Sequence, residues 1–146
     1  MAEVLVRSSG NFQQEIVAAN HTWFADEPLD VGGDDTGPDP YSLLLGSLGA
    51  CTSMTLLMYA RRKQWPLEHV EIHLTHRRDY LKDCETCSDK PVQIDRIERT
   101  IHLTGPLDEA QRARLVEIAK MCPVHRTLSG TIQIEDNLMA DLAPAD

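Results

Sequence analysis

The sequence predicts one α+β domain, and three observations carry that reading. Short strand-like runs open the chain, an uncharged stretch of helical length follows, and later segments alternate between period-two strands and one amphipathic helix. At 146 residues the chain is long enough for one hydrophobic core without crosslinks. The domain is expected to span residues 1–136, with a loose tail over 137–146.

The first strands are expected at 4–8, 12–19 and 22–25. Ser9-Gly10-Asn11 supplies the chemistry of the first turn and Asn20-His21 that of the second. An acidic loop over 26–39 follows, broken by three glycines and two prolines. Residues 41–63 form the long helix. Asp39 is placed to cap it, Pro40 suits its first turn, and Arg61, Arg62 and Lys63 meet the negative end of its dipole.

Residues 40–60 carry no charge, which is enough length to span a bilayer. Serines, threonines and glycines dilute the stretch and no second span accompanies it, so a core helix is the expectation and a membrane partner is not.

After Pro66, Val70, Ile72 and Leu74 alternate with polar residues in a half-buried strand reaching toward Tyr80. A loop carrying Cys84-x-x-Cys87 leads to a strand over 94–104, where Ile97, Ile101 and Leu103 share a face. Gly105-Pro106 turns the chain. Asp108 and Gln111 have capping-box spacing for a second helix, and Leu115, Ile118, Ala119 and Cys122 form its apolar stripe. Pro123 breaks or restarts that helix, and residues 131–135 read as a last strand.

The net charge of −9 repels phosphate backbones, so nucleic acid is not an expected partner. The N-terminal residues hold no apolar run of signal-peptide length, and the expected location is cytoplasmic. There, four cysteines point to redox or metal chemistry rather than structural disulfides.

Cys51 lies midway along the uncharged helix; the plain reading is a packed thiol, and the functional one a nucleophile in an apolar pocket. Cys122 precedes Pro123 and is placed to cap a helix, where the dipole and Arg126 favour a thiolate. His125, three residues on, is within reach of it. Cys84 and Cys87 have the spacing of half a zinc site, with His76 and Asp83 as the nearest further ligands, or of two solvent-facing loop cysteines. His69, His73 and His102 suit a solvated strand face.

Three segments together resemble the OsmC/Ohr superfamily: residues 37–55, GPDPYSLLLGSLGACTSMT; residues 65–72, WPLEHVEI; and residues 121–128, MCPVHRTL. The resemblance runs over about residues 4–135. It implies an OsmC-like fold, with antiparallel sheets wrapped around two central helices in an intertwined homodimer. It also implies a cysteine-based hydroperoxide reductase of oxidative-stress defence with no cofactor required; a zinc ion at the CxxC loop is a separate expectation from the Cys84 and Cys87 spacing alone. In that chemistry Cys51 is the peroxidatic thiolate attacking an organic hydroperoxide, Cys122 resolves the sulfenic acid as a disulfide, and an external dithiol restores both.

The chain departs from the family pattern in one respect. Peroxidases of the family activate the cysteine with a glutamate and an arginine. The glutamate position, ten residues before Cys51, holds Tyr41, and the N-terminal strands offer only Arg7, which does not match. Arg126, or Arg61 or Arg62 of a neighbouring subunit, are the candidate replacements. The alternative is therefore an OsmC-like thiol-bearing binding or redox-sensing protein without fast peroxidase turnover.

Overall fold

The structure is a computed structural model, and it describes residues 1–81 and 92–139. Three strands open the chain: β1 (Leu5–Gly10), β2 (Gln13–Ala18) and β3 (His21–Ala25). They form an antiparallel meander in the order β1-β2-β3. Asn11 and Ala19, at φ 35° and 49°, make the two tight turns.

Residues 26–39 fold back beside β3, apart from a 3-10 turn at Leu29–Val31. Asp26 is the anchor. It is 2% exposed, and its carboxylate accepts from the Glu27 amide (2.8 Å), the Thr36 amide (3.1 Å) and the Thr36 hydroxyl (2.7 Å). Gly33 is required here, because a Cβ on it would stand 1.8 Å from the Glu27 carbonyl oxygen.

Helix α1 (Pro40–Lys63) starts where the sequence signals it. The Asp39 side chain accepts from the Ser42 amide, and Pro40 occupies the first turn. It ends at Gln64, whose left-handed φ of 56° reverses the chain so that the Trp65 amide bonds the Ala60 carbonyl. Among the described residues, α1 alone is long and apolar enough to cross a bilayer. Only 28% of its most apolar window is buried, and the strand His69–Leu81 and the helices Glu109–Ala119 and Pro123–Leu128 pack along it.

Strands β4 (His69–Leu81) and β5 (Val92–Thr104) pair antiparallel along their whole length. On β4, Val70, Ile72, Leu74 and His76 are half-buried, while His69, Glu71, His73, Thr75 and Arg77 are exposed. His102 is exposed as well, so the three histidines assigned to a solvated face lie on one. The connection from β5 to the next helix needs Gly105, at φ 136°, where a Cβ would stand 2.1 Å from the Pro66 carbonyl oxygen.

Helix α2 (Glu109–Ala119) opens with the full capping box. The Gln111 amide bonds Asp108 at 2.7 Å, and the Asp108 amide bonds the Gln111 side chain at 3.0 Å. Arg112 then ties α2 to the end of β5 through the carbonyls of Leu103 and Gly105. The core lies between α1, α2 and the β4–β5 sheet, around Leu56, Ala60, Leu107, Leu115, Ile118 and Ala119. Fully burying a leucine such as Leu56 or Leu115 contributes about 1.5–3 kcal/mol.

Two expectations change. The second helix does not run on to Cys122: it ends at Ala119, and a separate short helix α3 (Pro123–Leu128) starts at Pro123 with Cys122 as its cap. Pro123 has no amide proton with which to extend the earlier helix. The last expected strand, 131–135, is irregular, with Ile132 and Ile134 51% and 82% exposed. An alternating sequence becomes a strand only beside another strand that completes its hydrogen bonds, and in the single chain none of the described strands lies alongside it.

Candidate active site

The site forms where the middle of α1, the inner face of β5 and the start of α3 converge. Cys51 and Cys122 are both free thiols; Cys51 is half-buried and Cys122 is fully buried. The two side chains are near enough for the Cys51 thiol to favour the ionised form of Cys122, although 71 positions separate them in the chain.

Cys122 is the more elaborately held of the two. As the cap of α3, its sulfur accepts from the His125 amide at 3.3 Å. From α1, the buried Thr52 hydroxyl stands 3.6 Å from the same sulfur. Burial pushes the Cys122 thiol up. The His125 amide, the Thr52 hydroxyl, the Cys51 thiol and the positive charge of Arg99 outweigh it, and the net direction is below the ordinary thiol value.

Arg99 is the residue that sequence reading missed. It lies on β5 between Ile97 and Ile101, opposite Leu74, on the face turned toward the helices. Its Nη1 donates to the Thr52 hydroxyl at 2.7 Å. The signal was present in the sequence: one charge inserted into an otherwise apolar alternation, Ile97-x-Arg99-x-Ile101-x-Leu103.

A cleft of about 480 Å³ opens beside these groups, lined by Leu48, Ile97, Ile101, Arg99, Lys120 and His125 among others. His125 is held below the ordinary imidazole value, by burial first and then by the charges of Arg99 and Lys120. The cleft therefore combines an apolar wall with the charges of Arg99, Lys120 and Asp95. On the other side of α1, a groove bounded by Thr55, Met58, Ile118 and Met121 begins one helical turn beyond Cys51.

The remaining sequence candidates lie elsewhere. Tyr41 sits in the first turn of α1, ten residues and so about 15 Å of helix from Cys51. Its ring stacks on His76 at 4.5 Å between centroids, and His76 Nε2 bonds Asp95 at 2.9 Å. Arg126 is exposed, and its backbone amide bonds the Cys122 carbonyl; the cation acting on the Cys122 thiol is Arg99. Arg61 and Arg62 are exposed in the last turn of α1. Cys84, Cys87 and Asp83 lie outside the described residues. Among the described residues no cluster of three or more histidine, cysteine or acidic side chains is placed to hold a metal.

The family model described as OsmC-like protein matches residues 32–136, the stretch that contains both cysteines. No curated protein matches the chain at a significant level. Among solved structures, an OsmC-like protein from Mycoplasma pneumoniae superposes with a TM-score of 0.70 at 18% identity, over 89% of this chain and 88% of that one. An organic hydroperoxide resistance protein OsmC from Legionella pneumophila gives 0.59 at 19% identity, over 88% and 90% of the two chains. An OsmC-like hydroperoxide resistance protein from Jannaschia gives 0.56 at 18% identity, over 92% and 89%. At these identities the structures establish the shared fold.

Proposed function

The chain belongs to the OsmC-like protein family, and on that premise we propose that it reduces organic hydroperoxides through Cys51 and Cys122. The observation that carries this reading is the approach of two free thiols, one on α1 and one at the start of α3, where Thr52 beside Cys51 stands 3.6 Å from the Cys122 sulfur. A pair so placed can trap a sulfenic acid as a disulfide before further oxidation. Two of the similar structures also bear hydroperoxide-resistance names.

The sulfur of Cys51 gives up its proton and attacks the outer oxygen of the hydroperoxide. The O–O bond breaks, the alkoxide leaves and takes a proton to become the alcohol, and Cys51 becomes a sulfenic acid. The Cys122 thiolate then attacks the Cys51 sulfur, hydroxide leaves as water, and the disulfide forms. Two thiols and one hydroperoxide thus give one disulfide, one alcohol and one water. An external dithiol returns the pair to the reduced state.

The working unit in this reading is a homodimer. The exposed apolar surface of the single chain supports it: Leu5 and Val6 on β1, Met54 and Met58 on α1, and Ile132 and Ile134 near the C-terminus. Monomeric proteins seldom leave so much of a long apolar helix and an alternating strand sequence uncovered. A second copy would cover α1 and give residues 131–135 the neighbouring strand that they lack. Zinc remains a proposal confined to Cys84 and Cys87.

The second reading, a thiol-bearing binding or redox-sensing protein, is favoured by Tyr41, which is exposed and stacked on His76 at the position where the family's peroxidases carry their glutamate. Turnover separates the two. With an organic hydroperoxide and excess dithiol, the parent is expected to consume peroxide catalytically and Cys51→Ser to lose that activity. Cys122→Ser is expected to accumulate sulfenic or overoxidised Cys51. Equal turnover by Cys51→Ser and the parent would remove the peroxidase reading.

A further inference from the structure

Resting on the reading of Cys51 and Cys122 as a redox pair, we infer that Arg99 is the positioning residue of the site. It acts through Thr52 to hold Cys122 as the ionised member of the pair, so that Cys122 is the base that receives the Cys51 proton when Cys51 attacks. The cation expected beside Cys51 is in this way moved to β5 and directed at the other cysteine.

The first ground is the placement of Arg99. Arg99 is half-buried on the inward face of the sheet, so its guanidinium is partly withdrawn from water and a nearby negative group is favoured. Among the described residues no carboxylate lies within ion-pair distance of Arg99; Glu98 is engaged by Arg77, and Asp95 by His76 and Arg78. The side chain instead donates to a neutral hydroxyl, Thr52, which in turn touches the Cys122 sulfur. The group placed to supply the missing negative charge is Cys122.

The second ground is the hydrogen-bond capacity of Thr52. Its hydroxyl has one proton and two lone pairs. Arg99 fills one lone pair at 2.7 Å. The proton has two acceptors within reach, the Leu48 carbonyl at 2.7 Å and the Cys122 sulfur at 3.6 Å. With Cys122 protonated, the hydroxyl donates to Leu48 and accepts from the thiol. With Cys122 ionised, it turns its proton to the sulfur, and the Arg99 charge strengthens that bond. The His125 amide donates to the same sulfur, and the nearby Cys51 thiol favours its ionised form. Among the described residues, the His125 amide and the Thr52 hydroxyl are thus the two groups placed to donate to Cys122.

The proton balance follows. In the reduced pair Cys122 is a thiolate beside the Cys51 thiol. As Cys51 forms its bond to the outer peroxide oxygen, its proton passes to Cys122 and the O–O bond breaks. The departing alkoxide takes the proton from Cys122 and leaves as the alcohol. Cys122, again a thiolate, attacks the Cys51 sulfenic sulfur and expels hydroxide. The charged and titratable groups facing Cys122 are Cys51 from α1, Arg99 from β5 and His125 from α3, with Lys120 and Asp95 lining the adjacent cleft.

The test is a thiolate titration followed by ultraviolet absorbance on the full chain. The Cys51→Ser variant is compared with Cys51→Ser/Cys122→Ser, so that the difference reports Cys122 alone. Arg99→Met and Thr52→Val, each in the Cys51→Ser background, are expected to raise the Cys122 midpoint by about one unit or more, a tenfold loss of thiolate below the midpoint. Arg99→Lys is expected to restore part of the shift, which a merely structural role would not do. If Arg99→Met fails to fold, the Thr52→Val titration reads the same link. An unmoved midpoint in the folded variants overturns the inference. If peroxide turnover persists while the midpoint is unmoved, the inference fails alone; if the midpoint moves but the parent reduces no hydroperoxide, the redox reading fails and the thiolate assignment stands.

Discussion

Thr52→Val isolates the polar centre of the site from its shape. Valine and threonine have nearly the same volume, so no cavity opens, and the fully buried position keeps its packing. What is lost is the acceptor for Arg99. A hydrogen bond to a charged group contributes about 1.5–3 kcal/mol. Because Arg99 is only half-buried, water can satisfy part of its lost bond, which places the expected cost near the middle of that range, about 2 kcal/mol. The Leu48 carbonyl loses little, since it still accepts the helical bond from the Thr52 amide. Thr52→Ser is the control: it keeps the hydroxyl and gives up one buried methyl, about 1 kcal/mol. The assay is equilibrium urea unfolding at neutral pH and one fixed protein concentration, because association shifts the apparent midpoint. Thr52→Val as stable as the parent, or more stable than Thr52→Ser, would refute the claim that this hydroxyl is the structural link to Arg99.

Other expectations follow from the core, the cleft and the uncovered surface. Leu115→Ala empties a fully buried position between α1 and α2 and is expected to cost about 2–5 kcal/mol in the same unfolding assay. His125 is held below its unfolded value, so its contribution to stability is complete above about pH 6.5 and is lost as pH falls through the folded value. A proton NMR titration of the His125 ring is expected to give a midpoint below 6.5, and Arg99→Met to raise it. Ile132→Glu with Ile134→Glu places charge on the exposed alternating segment; light scattering should report a dimer for the parent and a monomer for the double variant. A parent that is itself monomeric would contradict the homodimer.

How much of this was legible in the sequence depended on how local each determinant is. The Asp39 cap with Pro40, the Asp108–Gln111 box and the Gly105 turn are decided within a few residues, and each lies where the sequence placed it. Cys122 as a helix cap could be read in the same way, from Pro123 beside it. Residues 131–135 carry a strand pattern, but a strand requires a neighbour that no local pattern specifies. Arg99 was harder to read for a related reason. Its position within an apolar alternation was visible, but its meaning depends on Thr52 and Cys122, 47 and 23 residues away, meeting it across the helix–sheet interface. Searching around Cys51 and Cys122 along the chain found Arg126, whereas the cation that acts in space comes from β5.

The central claim is that Cys51 and Cys122 form one redox unit, and the most direct measurement is disulfide mapping after a single oxidation. Reduced protein receives one equivalent of an organic hydroperoxide, with hydrogen peroxide run in parallel, and peptides are mapped by mass spectrometry. The account predicts a Cys51–Cys122 disulfide, formed faster with the organic peroxide. Cys51 left unoxidised, or a disulfide confined to Cys84 and Cys87, would contradict it.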